Sequence, residues 1–427
     1  MSKTNMKVCN NYFLVDPTKA SFLDLLLLLF SSNLTSARFI DSPPDTLKSF
    51  RRSFTSRWII VLAILLQKVL MLLRKPVAIL GGFLTYSLNL LTANGGFFKM
   101  ILNLLTGLTQ RLELVTGKLL DLVGNYDFYN AFQESKLTQA FVFKTSSTNP
   151  NLIVISFRGT EPFETADWCT DLDVSWYEMK NVGKVHAGFS RALGLQKNGW
   201  PKENLSLLHQ YAYYTIRQML RDKLAKDKNL KFILTGHSLG GALAALFPAI
   251  LAIHGEDELL DKLEGVYTFG QPRVGDEDFG EFMKDVVKKH GIEYERFVYN
   301  NDVVPRVPFD DKILFSYKHY GPCNWFNSLY KGKVREDAPN ANYFNLLWLI
   351  PKLLIGLWEF IRSFILQLWK GKEYKENWMM RSVRILGIII PGGSNHFPFD
   401  YVNSTRLGGL VRPPTTTTPE DKLALIA

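Results

Sequence analysis

Apolar and polar residues are unevenly dealt along this chain. Trp58 to Leu73 reads WIIVLAILLQKVLMLL, broken only by Gln67 and Lys68, and after Arg74-Lys75 an uncharged run of 23 residues extends from Pro76 to Phe98. About 20 apolar residues cross a bilayer, yet Gly81-Gly82, Asn89, Asn94 and Gly95-Gly96 weaken a straight spanning helix. A helical hairpin bent near Pro76 fits this pattern as well as a span does, and two buried helices fit its periodicity too. The second greasy region, Leu346 to Trp369, is patterned differently. At about 100° per residue, Lys352, Gly356, Glu359, Arg362, Ser363, Gln367 and Lys370 share one arc of roughly 140°, with Leu366 intruding. The spacing predicts an amphipathic helix with its polar stripe toward water and its apolar face toward lipid. An ordinary core helix has the same period. Ser21 to Ser32 looks like the core of a secretion signal, but Asp24 interrupts it and no clear cleavage site follows.

Between these regions the texture changes. Gln139-Ala-Phe-Val-Phe and Leu152-Ile-Val-Ile-Ser-Phe, separated by turn residues, predict a hairpin. Trp200 to Lys228 predicts a helix, Lys231-Phe-Ile-Leu a buried strand, and Ala242 to His254 another helix. Gly265 to Gly270 and Glu295 to Asn300 predict further strands. Alternation of this kind argues for a mainly parallel α/β sheet. The tail 412–427, with Pro413-Pro414 and four threonines, has a disordered composition. The chain therefore divides, by texture, into an N-terminal membrane-associating region 1–120, an α/β domain 121–411 holding an amphipathic insertion 323–384, and this tail.

Composition narrows the class. With 47% hydrophobic and 21% charged residues, the chain can bury a sizeable core, which excludes global disorder and a collagen-like repeat. Cys9, Cys169 and Cys323 are too few and too far apart for a disulfide framework or a zinc site, as expected for reduced thiols facing the cytosol. The net charge of +10 has an address. Pro44 to Lys75 carries seven basic residues against one acidic, and Cys323 to Arg384 carries ten against five, so the rest of the chain is nearly neutral. Basic residues set among Leu, Ile and Trp suit a membrane surface and not a nucleic-acid groove.

One short motif carries chemistry. Gly236-His237-Ser238-Leu239-Gly240 follows a predicted strand and precedes a predicted helix, the context of a nucleophile elbow. A serine lifted above a sheet edge needs a base and a group that orients it. On such a fold the order along the chain is serine, carboxylate, histidine. Asp302, where a core strand leaves the sheet, is favoured over Asp276 and Asp278 in a solvated loop. His254 and His290 precede Asp302 and fall out of order. His396, in the loop Pro391 to Asp400, is preferred to His319, which the pattern puts on a strand as a structural residue. No metal or cofactor is called for.

These blocks resemble the class 3 lipases, the fungal-type triacylglycerol lipases and their plant relatives. The likeness rests on Val154 to Thr160, Val185 to Phe189, Thr235 to Ala242, Phe269 to Gly275 and Asn301 to Pro308, and it resumes at Tyr317 and Asn395-His396. It implies an α/β-hydrolase fold with Ser238 as nucleophile, His396 as base and Asp302 as orienter. It also implies an oxyanion hole from the backbone N–H groups of Thr160 and Leu239, the Thr160 hydroxyl helping. A lid is implied near Glu161–Lys180, with Phe163, Trp168, Trp176 and Tyr177 as lid or acyl contacts or as plain packing. The greasy N-terminus and the insertion are shared with plant oil body lipases, which implies acylglycerol hydrolysis at the cytosolic face of a lipid droplet, or else of the endoplasmic reticulum. Phospholipase A1 or galactolipase activity, and a non-enzymatic membrane scaffold, are the alternative readings.

Overall fold

The computed structural model describes residues 9–30, 38–46, 54–93, 103, 120–130, 135–145, 151–160, 165–195, 199–204, 208–308, 310–311, 315–339, 349–374, 376, 378–389 and 392–411. The chain folds as two units. The first takes Met1–Tyr294 and Arg306–Tyr320, the second Glu295–Pro305 and Gly321–Ala427. The compositional boundary at residue 120 is thus not a boundary of the fold, because the N-terminal elements are built into the first unit. The tail 412–427 lies outside the described residues.

The first unit opens with β1 (Cys9–Val15), α1 (Phe22–Phe30), β2 (Ile40–Asp41) and α2 (Phe54–Ala93). Asp24, which interrupts the signal-like run, closes a capping box at the start of α1. Ser21 N–H and Oγ donate to Asp24 Oδ2 at 2.9 and 2.7 Å, and Asp24 N–H donates to Ser21 Oγ at 3.1 Å. Helix α2 runs unbroken through Pro76, so the expected hairpin is absent there. Proline forfeits one ladder hydrogen bond, and the Leu-rich turns on either side keep helical geometry. Ile60, Val61 and Ile64 bury one side of α2 in a cluster with Phe13, Leu25, Phe39 and Trp176. Gln67, one of the two breaks in the greasy run, is buried and donates through Nε2 to the Cys169 carbonyl at 3.1 Å. The opposite side is exposed and apolar, Leu62 at 54% and Val69 at 48%, and farther along the helix Leu72 and Ile79 are exposed as well. Residues Ser56–Phe83 are long and apolar enough to cross a membrane.

The α/β part follows: β3 (Leu120–Asn130), β4 (Ser135–Thr145), β5 (Leu152–Phe157), α3 (Thr165–Asp171), β6 (Trp176–Met179), β7 (Gly183–His186), α4 (Ala187–Leu193), α5 (Ala212–Lys226), β8 (Lys231–His237), α6 (Leu239–Ile253), β9 (Leu263–Phe269) and α7 (Glu277–His290). Strands β5, β8 and β9 are parallel neighbours, and β4 and β3 continue the sheet antiparallel. This is the α/β-hydrolase arrangement. Helix α6 is buried along its whole length, as its run of Ala, Leu, Ile and Phe dictates. Helix α5 begins later than the pattern predicts. Pro201 disfavours helix at the residue before it, and Trp200 is spent as a buried core side chain. A second, antiparallel sheet has the order β2-β1-β6-β7.

The second unit holds β10 (Glu293–Tyr299, its first two residues in the first unit), β11 (Cys323–Phe326), β12 (Lys331–Arg335), α8 (Leu349–Lys370), α9 (Trp378–Ile389), α10 (Pro398–Leu407) and β13 (Gly409–Val411). Its strands order as β13-β12-β11-β10. Helix α8 forms where predicted and keeps its apolar face outward, but most of its polar stripe meets the protein instead of water. Lys352, Glu359, Arg362 and Ser363 are buried, whereas Ile350, Leu354, Leu368 and Trp369 are exposed. The polar stripe faces the protein because it finds charged partners there. Glu359 accepts from Asn300 Nδ2 at 2.7 Å, Tyr299 OH at 3.0 Å and Arg384 Nη1 at 2.9 Å. Arg362 and Arg384 both donate to Asp400, at 3.0 and 2.9 Å. Part of the positive charge read from this segment is therefore internal, neutralised by carboxylates.

Candidate active site

The strand–turn–helix at β8 and α6 holds Ser238 at φ 57° and ψ −128°, a left-handed conformation that a β-carbon resists. Its N–H donates to the Phe269 carbonyl at 2.9 Å and its carbonyl accepts from Gly241 N–H at 2.9 Å, so both sides of the strained residue are tied down. The turn is possible because its neighbours lack side chains. A β-carbon on Gly236 would lie 2.2 Å from the Gly240 backbone, and one on Gly240 would lie 2.2 Å from the Phe157 carbonyl oxygen. His237, between them, continues strand β8 opposite Phe269.

The loop leaving β5 comes close to this turn. A β-carbon on Gly159 would sit 3.3 Å from Ser238 Cβ, so Thr160 is the next residue beyond that approach. The Thr160 hydroxyl donates to Asp171 Oδ2 at 2.7 Å, which fixes the loop against helix α3. Leu239 is the first residue of α6, where backbone N–H groups lack helical partners and the helix dipole is positive.

In the second unit, Asp302 follows β10 and is wholly buried. Its Oδ2 accepts from His396 Nδ1 at 2.8 Å and its Oδ1 from Val304 N–H at 2.9 Å. Tyr401 OH also donates to Oδ2. A carboxylate with three donors is held in one orientation. His396, in a short turn before α10, keeps its side chain 14% exposed. The structure thus brings Asp302 and His396 together, while Ser238, Thr160 and Leu239 assemble in the first unit.

The rival residues do other work. Asp276 caps α7, accepting from Phe279 N–H and Lys184 N–H, both at 3.0 Å, and burial pushes its carboxyl up. Asp278 is exposed. His254 lies between Tyr213 OH at 2.7 Å and the Trp200 carbonyl at 3.0 Å. His290 faces Asp261 at 2.6 Å. His319 follows an isolated bridge at Lys318 and is not in a strand. Trp176 and Tyr177 lie on β6. Trp176 is buried with Lys184 Nζ 4.7 Å from its ring, and Tyr177 OH accepts from Arg191 Nη2 at 3.2 Å. Trp168 is half-buried on α3, and Phe163 lies outside the described residues.

Tyr401 is the residue that sequence reasoning missed. It sits five positions after His396 with no motif around it, and only the third dimension brings it to Asp302. Cys169 is a buried thiol pushed up to about 11 by that burial, which leaves it unreactive. Among the described residues, no cluster of His, Cys, Asp and Glu is placed to hold a metal.

Comparison with known proteins adds four findings. The family described as lipase (class 3) matches residues 154–312. The chain is 35% identical to a protein named triacylglycerol lipase OBL1 of Arabidopsis thaliana, over 95% of this chain and 96% of that one. It is 41% identical to its namesake of Ricinus communis, over 68% of this chain and 60% of that protein. A solved structure of the Rhizomucor miehei lipase propeptide complex aligns with a TM-score of 0.36 and 27% identity, covering 49% of this chain and 57% of that one.

Proposed function

We propose that this chain, which belongs to the class 3 lipase family and is a carboxylic ester hydrolase of the serine type, cleaves the acyl esters of tri-, di- and monoacylglycerols at the cytosolic face of a lipid droplet. In this reading Ser238 Oγ attacks the ester carbonyl carbon while His396 Nε2 takes the hydroxyl proton. Asp302, accepting from Nδ1, holds the imidazole in the right tautomer and stabilises the imidazolium that forms. The carbonyl electron pair moves onto oxygen, and the N–H groups of Thr160 and Leu239 receive that oxyanion at the positive end of α6. Collapse breaks the bond to the glycerol oxygen, which leaves with the proton from His396. A water, deprotonated in turn by His396, attacks the acyl carbon, releases the fatty acid and restores Ser238.

The observation that carries this reading is the wholly buried Asp302 carboxylate 2.8 Å from His396 Nδ1, since that hydrogen bond leaves Nε2 as the basic nitrogen. The strained Ser238 supports it. The droplet surface is supported by the apolar length of Ser56–Phe83 in the region 1–120 and by the outward apolar side of α8 in the insertion. The acylglycerol is supported by the names of the plant relatives.

The test is fatty-acid release from emulsified triolein. Ser238→Ala should lower it by roughly a millionfold, and equal rates in the two proteins would refute the mechanism. Parallel rates on phosphatidylcholine and galactolipid at equal interface area measure the head-group preference, and a preference for either polar lipid would overturn the acylglycerol assignment.

A further inference from the structure

Helix α8 exposes its grease and buries its charge, an inversion that requires an explanation. Its 22 residues span about 33 Å at 1.5 Å per residue. The outward face presents Leu354, Leu357, Ile361, Ile365, Leu368 and Trp369, with Leu368 at 88% and Trp369 at 72% exposure. A continuous apolar face of this length is larger than a soluble protein ordinarily leaves uncovered.

The face cannot be hidden by rolling the helix. Glu359, Arg362, Arg384 and Asp400 are each fully buried beneath it. Arg384 bridges Glu359 at 2.9 Å, Asp400 at 2.9 Å and Glu376 at 2.7 Å, and Tyr330 OH donates to Asp400 at 2.9 Å. Burial works against the Asp400 carboxylate, but Arg384 and Arg362 hold it below its ordinary range. Turning α8 over would strand these charges without partners, at a cost far above what its apolar side chains could recover.

We propose that the outward face of α8 is a lipid-docking surface, seated in the phospholipid monolayer of the droplet and locked outward by the ion cluster beneath it. This rests on the lipid-surface reading above and deepens it. Two features select lipid as the occupant. The face asks for little hydrogen bonding: its centre is aliphatic, the Trp358 indole N–H already donates to Ser328 Oγ at 3.1 Å, and the other indole, Trp369, stands at the end of the helix, where an interfacial Trp reaches head groups. The exposed charge of the same unit is also mostly basic, Lys331, Lys333, Arg335, Lys370 and Arg406 against Glu336 and Glu373, which complements anionic head groups.

The lock has a second consequence. Tyr299 and Asn300, which bind Glu359, are within three residues of Asp302, and Asp400 is four residues after His396. The docking helix and the Asp302–His396 pair are therefore parts of one rigid block, so seating the helix orients the pair.

The test uses the full chain carrying an environment-sensitive fluorophore on Leu368→Cys, mixed with triolein droplets coated with phosphatidylcholine and phosphatidylserine. A blue shift on droplets is expected. A water-like spectrum from protein that co-floats with droplets would overturn the proposal, as would a blue shift that grows with protein concentration in the absence of lipid, which would mark self-association. In parallel, the triple variant Leu357→Ser, Ile361→Ser, Ile365→Ser should lose about tenfold in the ratio of triolein to 4-nitrophenyl butyrate hydrolysis. The soluble ester reports an intact fold and site, and an unchanged ratio would overturn the proposal. If wild type hydrolyses neither ester, the catalytic reading fails by itself, while the fluorophore still judges the docking surface.

Discussion

Helices α2 and α8 form in the two long greasy regions of the sequence, and they meet their own units in opposite ways. Helix α2 offers apolar residues to both sides and beyond its packed stretch: Ile60, Val61 and Ile64 pack inward, Leu62 and Val69 point out, and Leu72 and Ile79 lie past the packed turns. Its inner contact is ordinary hydrophobic burial, to which Gln67 adds a polar tie. Helix α8 turns most of its large apolar side chains outward, buries Leu366 alongside its polar stripe, and holds on through Glu359 and Arg362. The difference teaches that exposed grease arises by two routes. One is excess length, where a helix has more apolar surface than the protein can cover. The other is orientation, where buried charges decide which face is left outside.

The comparison can be broken first at the charges. Arg362→Met keeps most of the side-chain volume but leaves Glu359 and Asp400 short of a cation, and should cost about 4 kcal/mol of stability in urea unfolding. A loss near zero would mean that the cluster does not hold α8. In α2, Ile64→Ala removes fully buried apolar volume and should cost about 3 kcal/mol, measured in the same way. Hydrogen exchange should then report faster opening in α8 for the first variant and in α2 for the second.

Acid should separate the two units more gently. His186 in the first unit is wholly buried, accepts from Phe189 N–H at 3.3 Å, and is pushed down to about 3 by that burial. Its folded value lies below the ordinary 6.5, so the unfolded chain takes up the proton first as pH falls. The stability it lends is full above pH 6.5 and drains toward pH 3 at about 1.4 kcal/mol per pH unit. His186→Asn, which keeps an acceptor for the helix cap, should flatten that slope in urea titrations from pH 6 to 4. Asp400 in the second unit is held below 3.8, so its contribution is full above that value and is lost only as pH falls through the folded value. Exchange in α8 should therefore stay slow through the range in which the first unit weakens. The smallest effect belongs to Gln67→Leu, which removes the amide bond to the Cys169 carbonyl and should cost about 1 kcal/mol. A loss as large as that of Ile64→Ala would show that α2, too, depends on polar contact.

Much of this was legible beforehand. The parallel strands, the elbow and the hairpin follow from local rules of period and glycine placement, and those rules act over a few residues. Asp302 and His396 were reachable through chain order, 94 residues apart, and they meet at 2.8 Å. The capping role of Asp24 was also within reach, since Ser-x-x-Asp is a local signal read instead as a break in a signal-like run. Tyr401 was beyond reach, because a tyrosine on a helix has no signature of what it touches. The side of α8 that faces inward was beyond reach for the same reason. Periodicity states that one face is polar and the other apolar, and it is silent on which of them meets the protein.

By itself, the sequence determined the helices and strands, the strained serine turn and the presence of two apolar helices, because those depend on neighbours within a turn or two. The tertiary structure alone decided that α2 ties down α3 through Gln67, and that α8 points its grease outward. Those outcomes depend on Cys169, Arg384 and Asp400, residues distant in the chain whose hydrogen bonds and charges are worth most when burial removes water from around them.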